Sequence, residues 1–355
     1  MRQRSSERTS LGVDERGVIG HSATVNFQSA SHIAEVPHRG VIVRTRAFGT
    51  TGIEVSEVGL GAWQLVRSSQ WPDGPDEDGA VRLVHAALAA GVTFIDTAPG
   101  YAEGRSEAAL GAALRGGRRE GVVLCTKFGH RADGTSDWDP SSIEASVLAS
   151  ARRMGTDHLD IVLLHSPPPE VLDGHSEHYV VLEGLKQRGV IRAYGASVDW
   201  SADVDTVLQT SASEALEVRM SALFQETWPS VERARERGVG TIVKVPLESG
   251  WLSGRYTAET VFSGVRSRWS REDIALRAGL VDEFRSLLPE GVSVPQGALR
   301  FLLAHDGVST VIPGARTIEF LQESIEAAAE PLPAGTVAAI RKFATDRLAA
   351  RQLDW

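Results

Sequence analysis

Lysine is almost missing from this chain: four lysines (Lys127, Lys186, Lys244 and Lys342) stand against thirty-three arginines in 355 residues. Cysteine occurs once, as Cys125, so no internal disulfide can form and a reducing, cytoplasmic setting is expected. No run of about eighteen apolar residues is present, which excludes a bilayer-spanning helix. Arg2, Arg4 and Arg8 open the chain without a following apolar stretch, so a secretory signal is not expected. The net charge of −9 comes with no basic block, and nucleic acid and anionic membranes are therefore not expected partners. A complete Gly-x-Gly-x-x-Gly is also lacking. Gly59-Leu60-Gly61 and Gly238-Val239-Gly240 each miss the third glycine, which leaves a Rossmann reading without its fingerprint.

What is present centres on the few lysines. Thr93, Phe94 and Ile95 form a short β-branched and aromatic run that ends in Asp96. Pro99-Gly100 turns the chain to Tyr101, and a helix over 106–114 capped by Ser106 is expected next. The apolar run Val122 to Thr126 ends in Lys127, and Ile161 to Leu164 ends in His165. Successive parallel strands are usually neighbours, so Asp96, Tyr101, Lys127 and His165 should converge on one rim. A buried carboxylate needs a cation, and in an arginine-rich chain a retained lysine points to a compact ammonium with a movable pKa. The plainer alternative is an Asp96–Lys127 pair that only closes a barrel.

Strand and helix signals alternate along the rest. Helices are expected over 76–90, 141–154, 177–188, 202–209, 230–237 and 318–329. Strands are expected over 58–63, 93–95, 122–126, 161–164, 193–196, 216–220, 241–245 and 310–312. Eight strands with outer helices predict an α/β fold, a (β/α)8 TIM barrel over residues 46–355. Residues 1–45 show no sustained period and are expected to be a disordered extension. The segment 248–271 is too long for an ordinary connection and carries Trp251, Tyr256, Trp269 and several arginines. Pro313-Gly314-Ala315-Arg316-Thr317, ahead of a helix, offers backbone N–H groups and a guanidinium to a phosphate. His175 and His178 lack a third ligand at metal spacing, so no metal site is expected. Trp63 and Trp71 are candidates for an apolar pocket wall, and core packing would place them equally well.

Ordered motifs then resemble the aldo-keto reductase superfamily over about residues 46–328. They include Phe48-Gly49, Thr51-Gly52, Gly59-Leu60-Gly61, Phe94-Ile95-Asp96-Thr97-Ala98, Thr126-Lys127, Leu163-Leu164-His165-Ser166, Pro246-Leu247 and Val311-Ile312-Pro313-Gly314-Ala315-Arg316. The resemblance implies an amino-terminal hairpin over 46–57 that plugs the barrel, and a catalytic tetrad of Asp96, Tyr101, Lys127 and His165. It implies a nicotinamide cofactor extended along the rim, NADP(H) with NAD(H) as the alternative, covered by the 248–271 loop. Cofactor contacts would fall at Ser197, Glu217, Pro246, Leu247, Gly250, Leu252, Gly314, Arg316 and Ser324. The implied activity interconverts a small aldehyde or ketone and an alcohol, with Tyr101 as general acid and base. Lys127 would lower the Tyr101 pKa and His165 would orient the carbonyl. A redox-sensing auxiliary subunit on the same fold is the alternative. The chain departs from the family pattern at Val198, Glu217, Met220, Lys244, Phe320 and Ser324. The substrate and the oligomeric state are not legible.

Overall fold

The computed structural model describes residues 43–348 and residue 353. Residues 1–42 of the expected extension lie outside the described residues. Strands β1 (Thr45–Ala47) and β2 (Glu54–Ser56) pair antiparallel, with Arg46 opposite Val55. Gly49, at φ +56, forms the turn between them, where a Cβ would lie 2.2 Å from the Gly238 carbonyl oxygen. Only glycine fits so close an approach in that conformation. Phe48, Ile53 and Val55 of the hairpin pack with Phe94, Cys125, Ile161 and Ile242, closing one end of the barrel interior.

Eight parallel strands follow: β3 (Leu60–Gly61), β4 (Phe94–Asp96), β5 (Val123–Phe128), β6 (Leu159–His165), β7 (Ile191–Val198), β8 (Ala215–Arg219), β9 (Gly240–Lys244) and β10 (Thr310–Val311). They pair in sequence order. Val58 bridges Val311 and Gly61 bridges Gly314, so the last strand returns to the first and the sheet closes. Closure removes the free edges an open sheet would expose.

The alternation of strand side chains decides what faces the interior. Phe94, Val123, Cys125, Ile161, Leu163, Ala193, Ala215 and Ile242 share the inner cluster. Ile95, Leu124, Val162, Leu164, Leu216 and Val243, one residue out of phase, pack in the layer beneath the helices. Continuing the inner phase to the carboxyl ends gives Asp96, Lys127, His165, Ser197, Glu217 and Lys244. Six polar side chains are thereby delivered to one end of the barrel, where (β/α)8 sites form.

Element types agree with the sequence reading, and several edges differ. The first barrel strand, expected over 58–63, is Leu60–Gly61 and breaks at once into a 3-10 turn over Ala62–Gln64. Helix α1 (Glu77–Ala89) is capped by Asp76, which accepts from the Gly79 N–H at 2.7 Å. Helix α2 (Arg105–Ala113) starts at the left-handed Gly104 with no side-chain cap. Ser106 donates instead to the Ala62 carbonyl at 2.9 Å, tying the helix start to the β3 loop. Helices Arg271–Ser286 and Val294–Leu303 both carry capping boxes, Ser270 with Asp273 and Ser293 with Gln296. Neither helix is among those expected from the sequence. No helix among the described residues is long and apolar enough to cross a membrane.

Candidate active site

Lys127 is buried at the end of β5. Its ammonium donates to Asp96 Oδ2 at 2.5 Å and to the Thr97 carbonyl at 3.1 Å, and lies 3.2 Å from Glu217 Oε2. Asp96 comes from β4 and Glu217 from β8, so one ammonium answers two carboxylates. Tyr101 sits in a short 3-10 turn over Tyr101–Gly104, followed by Ala102 and Glu103 at φ +49 and +56. Left-handed backbone at two consecutive non-glycine residues is strain of the kind found at functional sites. The turn brings the Tyr101 ring centroid within 5.3 Å of Lys127 Nζ and 6.0 Å of the His165 ring. The four residues of the expected tetrad therefore meet.

Their electrostatics differ from the expectation in one respect. Burial pushes the Tyr101 phenol well above the usual tyrosine value, Lys127 pulls it down, and Asp96 and Glu217 push it up again. The anticipated lowering by Lys127 does not prevail, because burial outweighs it and the two acids add to the rise. Burial tends to lower the Lys127 pKa, but Asp96 and Glu217 hold the ammonium well above its ordinary value. Burial and then Glu217 raise the Asp96 carboxyl well above normal, against the pull of Lys127. Burial alone would raise Glu217, yet Lys127 and Lys244 hold it below its ordinary value. Burial, followed by Lys127 and Lys244, holds the His165 imidazole well below the usual histidine range, so it is neutral. Its Nδ1 is buried without a partner. A neutral ring avoids stranding an N–H there by carrying its proton on Nε2.

Next to this core Ser197 Oγ donates to Glu217 Oε1 at 2.9 Å and accepts from Lys244 Nζ at 2.9 Å. Lys244 also pairs with Asp199 at 2.9 Å. A cleft of about 600 Å³ opens above, and Asp96, Tyr101, His165, Glu217 and Lys244 reach its floor. Of the expected cofactor contacts, Glu217, Pro246, Leu247, Gly250, Gly314 and Arg316 line it. Three others stand elsewhere. Ser197 is fully buried and hydrogen-bonded to protein partners, Leu252 packs in the core, and Ser324 donates from within its helix to the Phe320 carbonyl at 3.0 Å.

The outer half of the cleft is rich in arginine. Arg255, Arg266, Arg268 and Arg316 line it. Arg316 pairs with Asp73, and Arg266 donates to the Tyr256 hydroxyl at 2.7 Å while lying 5.1 Å from the Trp71 ring. The buried Nε of Arg266 has no partner. Trp63 and Trp71 meet edge to face at 5.0 Å, and Trp63 stands 6.4 Å from the Tyr101 ring, so an aromatic wall adjoins the phenol. The 248–271 loop is held by Trp251, which packs on Tyr256, Phe262 and Trp269. Sequence reasoning did not single out Asp73, Asp199 or Arg266. Their charges are ordinary for surface loops, and only the fold brings them to the cleft.

The residues suit an extended dinucleotide. Gly61, Gly250 and Gly314 leave bare backbone along the cleft, while the guanidiniums and the unpartnered Arg266 Nε offer donors to phosphate. They do not suit a metal. Asp96, Cys125 and Glu217 are close enough to be ligands, but the Lys127 ammonium already stands against both carboxylates. His178 is bonded to the Trp138 carbonyl at 2.8 Å, and His175 is exposed, so these two histidines form no joint site.

A sequence model of the Aldo/keto reductase family matches residues 57–345. The NADH-specific methylglyoxal reductase of Escherichia coli is 30% identical over 302 residues, covering 79% of this chain and 91% of that protein. The oxidoreductase YqkF of Bacillus subtilis is 30% identical over 294 residues, covering 81% of this chain and 91% of that protein. Among solved structures, an aldo-keto reductase of Bacillus halodurans in its holo form superposes with a TM-score of 0.72 at 30% identity, covering 87% of this chain and 98% of that one.

Proposed function

Since the chain belongs to the aldo-keto reductase family of oxidoreductases, we propose that it interconverts a small aldehyde or ketone and the corresponding alcohol with NADP(H), Tyr101 serving as general acid and base. The observation that carries this reading is the meeting of Tyr101 and neutral His165 over the buried Asp96–Lys127 pair, on the floor of an open cleft. A bound nicotinamide cofactor would supply the hydride, and Pro246, Leu247, Gly250, Gly314, Arg266 and Arg316 would hold it. The chain's own groups handle the proton and the geometry. His165 donates from Nε2 to the carbonyl oxygen, fixing its angle and drawing electron density from the carbon. Tyr101, kept protonated by burial, donates its phenolic proton as the oxygen becomes an alkoxide. Lys127 stabilises the phenolate that forms, and Asp96 keeps the ammonium charged and in place. Trp63 and Trp71 present an apolar flank to the substrate.

Preference for NADP(H) over NAD(H) rests on Arg316 and its neighbouring guanidiniums, which can meet the additional phosphate. Asp73 already pairs with Arg316, so that phosphate must displace a carboxylate. The E. coli relative is NADH-specific by name, which makes this the sharper half of the test. The catalytic domain begins before the expected residue 46, since Thr45 opens β1 and Val43 is packed in the core. Oxidation of NADPH and NADH should be followed by the loss of reduced-nicotinamide absorbance with a panel of aldehydes and ketones. Turnover with a carbonyl substrate, faster with NADPH, is the expected result. Cofactor binding without turnover on any carbonyl or alcohol would replace the enzyme reading with that of a redox sensor.

A further inference from the structure

Among the described residues, other buried carboxylates answer to arginine. Glu57 meets Arg44 and Arg46, Asp160 meets Arg119 and Arg192, and Glu248 meets Arg219. Asp96 and Glu217 reverse the ratio, two acids against the one ammonium of Lys127. Both are buried, and their oxygens lie within 4.8 Å of each other. Glu217 Oε2 makes no hydrogen bond although it is buried. Two ionised carboxylates in that position would leave a net negative charge in a low-dielectric core and one oxygen without a donor. A single proton held between them removes both faults.

A route to that proton is also present. Ser197 Oγ donates to Glu217 and accepts from Lys244, and Lys244 pairs with Asp199, each contact being 2.9 Å. The Asp199 side chain is 36% exposed, whereas that of Glu217 is 2% exposed. The exposed Asp199 is therefore linked to the core through the Lys244 ammonium, which donates to both Asp199 and Ser197, and the Ser197 hydroxyl is already oriented to pass a proton to Glu217.

We propose that Asp96 and Glu217 share one proton, and that this proton, replenished through Asp199, Lys244 and Ser197, reloads Tyr101 by way of Lys127. The inference rests on the reading of Tyr101 as the proton donor. As a carbonyl is reduced, hydride from the reduced nicotinamide cofactor forms the new C–H bond and the Tyr101 O–H bond breaks to form the alcohol O–H. Lys127 then gives one N–H proton to the phenolate oxygen and takes the proton held by the two carboxyls, remaining an ammonium. The relay restores that proton from water, so one hydride and one solvent proton are consumed per turnover. The ionisable groups facing the pair are Lys127, Tyr101, Cys125 and Lys244, with Asp199 and His165 one step further out. Burial pushes the Cys125 thiol well above its usual value, which leaves it protonated and out of the exchange.

Infrared spectroscopy of the full-length protein at neutral pH, without substrate or cofactor, tests the shared proton directly. A protonated-carboxyl C=O band is expected in the wild type and should vanish in Glu217→Gln and in Asp96→Asn, because either acid alone is ionised beside Lys127. Absence of the band in the wild type, or its persistence in both variants, overturns the proposal. The relay is tested by Ser197→Ala and Lys244→Met, each of which should lower kcat by roughly tenfold while leaving the cofactor KM and the infrared band unchanged. A raised cofactor KM with unaltered kcat would instead make Ser197 and Lys244 cofactor contacts and remove the relay. A protein that shows the band but reduces no carbonyl would contradict the proposed function, and one that reduces carbonyls without the band would contradict only this inference.

Discussion

The inner and outer halves of the cleft carry charge in opposite ways. On the floor, Asp96, Lys127 and Glu217 are buried and their partners are fixed by the strands that bear them. At the rim, Arg316 pairs with an Asp73 side chain that is 66% exposed, and Arg255 pairs with Glu323 at 3.6 Å. A buried charge that loses its partner has no water to replace it, whereas a rim pair exchanges readily with solvent and salt. Catalysis should accordingly be intolerant of change on the floor, and cofactor choice should be adjustable at the rim.

The sharpest way to break this contrast is Lys127→Met. Removing the ammonium leaves the buried Asp96–Glu217 pair without the cation that faces both, so a loss of about 3–5 kcal/mol in stability is expected together with loss of turnover. The sign of its pH dependence follows from burial. With Lys127 gone, nothing opposes the burial that raises the Asp96 carboxyl above its unfolded value, so its contribution is fully present below the unfolded pKa and is lost as the pH rises through the folded one. Denaturant melts should show the variant recovering stability in acid, and equal stability of variant and wild type at neutral pH would refute the account of the floor. Tyr101→Phe comes next. It removes the proposed proton donor at nearly constant volume, so turnover should fall by roughly a hundredfold or more with cofactor affinity retained. A loss of less than about threefold in a folded protein would defeat the general-acid assignment.

Rim substitutions should act more gently. Arg316→Ala should weaken NADPH by about tenfold and NADH little, the scale of one charge-assisted contact. Asp73→Asn, which releases Arg316, should tighten NADPH by no more than about fivefold, since exposed pairs contribute up to about 1 kcal/mol. Fluorescence titration with both cofactors checks this, and parallel changes for the two would show that Arg316 does not read the extra phosphate. Smaller still is the effect of mild acid on His165. Its pKa is depressed, so the neutral ring's contribution is present above the unfolded value near 6.5 and is lost only as the pH falls through the lower folded value. NMR titration should show no His165 protonation around pH 6.5; a midpoint there would mean that the ring is solvated. The least effect is expected from deleting residues 1–42, because the described core begins at Val43, which is buried. A large fall in melting temperature would reassign that segment to the fold.

How far these features can be read without coordinates depends on whether they are local. Strand alternation is local, and it sends Asp96, Lys127 and His165 inward once Phe94, Cys125 and Leu163 are seen as inner residues. The same rule places Glu217 and Lys244 beside them, two and two residues beyond Ala215 and Ile242. The helix start at α2 escapes such a rule because what fixes it is not local. Ser106 has the chemistry of a cap, but a carbonyl from the β3 loop claims its hydroxyl, and no helix propensity foresees a partner forty-four residues away.

By itself, then, the chain determined its barrel, the rim on which Asp96, Tyr101, Lys127 and His165 collect, and the glycine-lined loops around them, because strand period and turn chemistry act over a few residues. Tertiary structure alone decided which charges meet. Glu217 lies ninety residues from Lys127 in sequence yet 3.2 Å away in space. Burial already carries the Tyr101 pKa upward against the pull of Lys127, and that contact adds to the rise, since a charge acts by distance through a low-dielectric interior and by no rule of spacing along the chain.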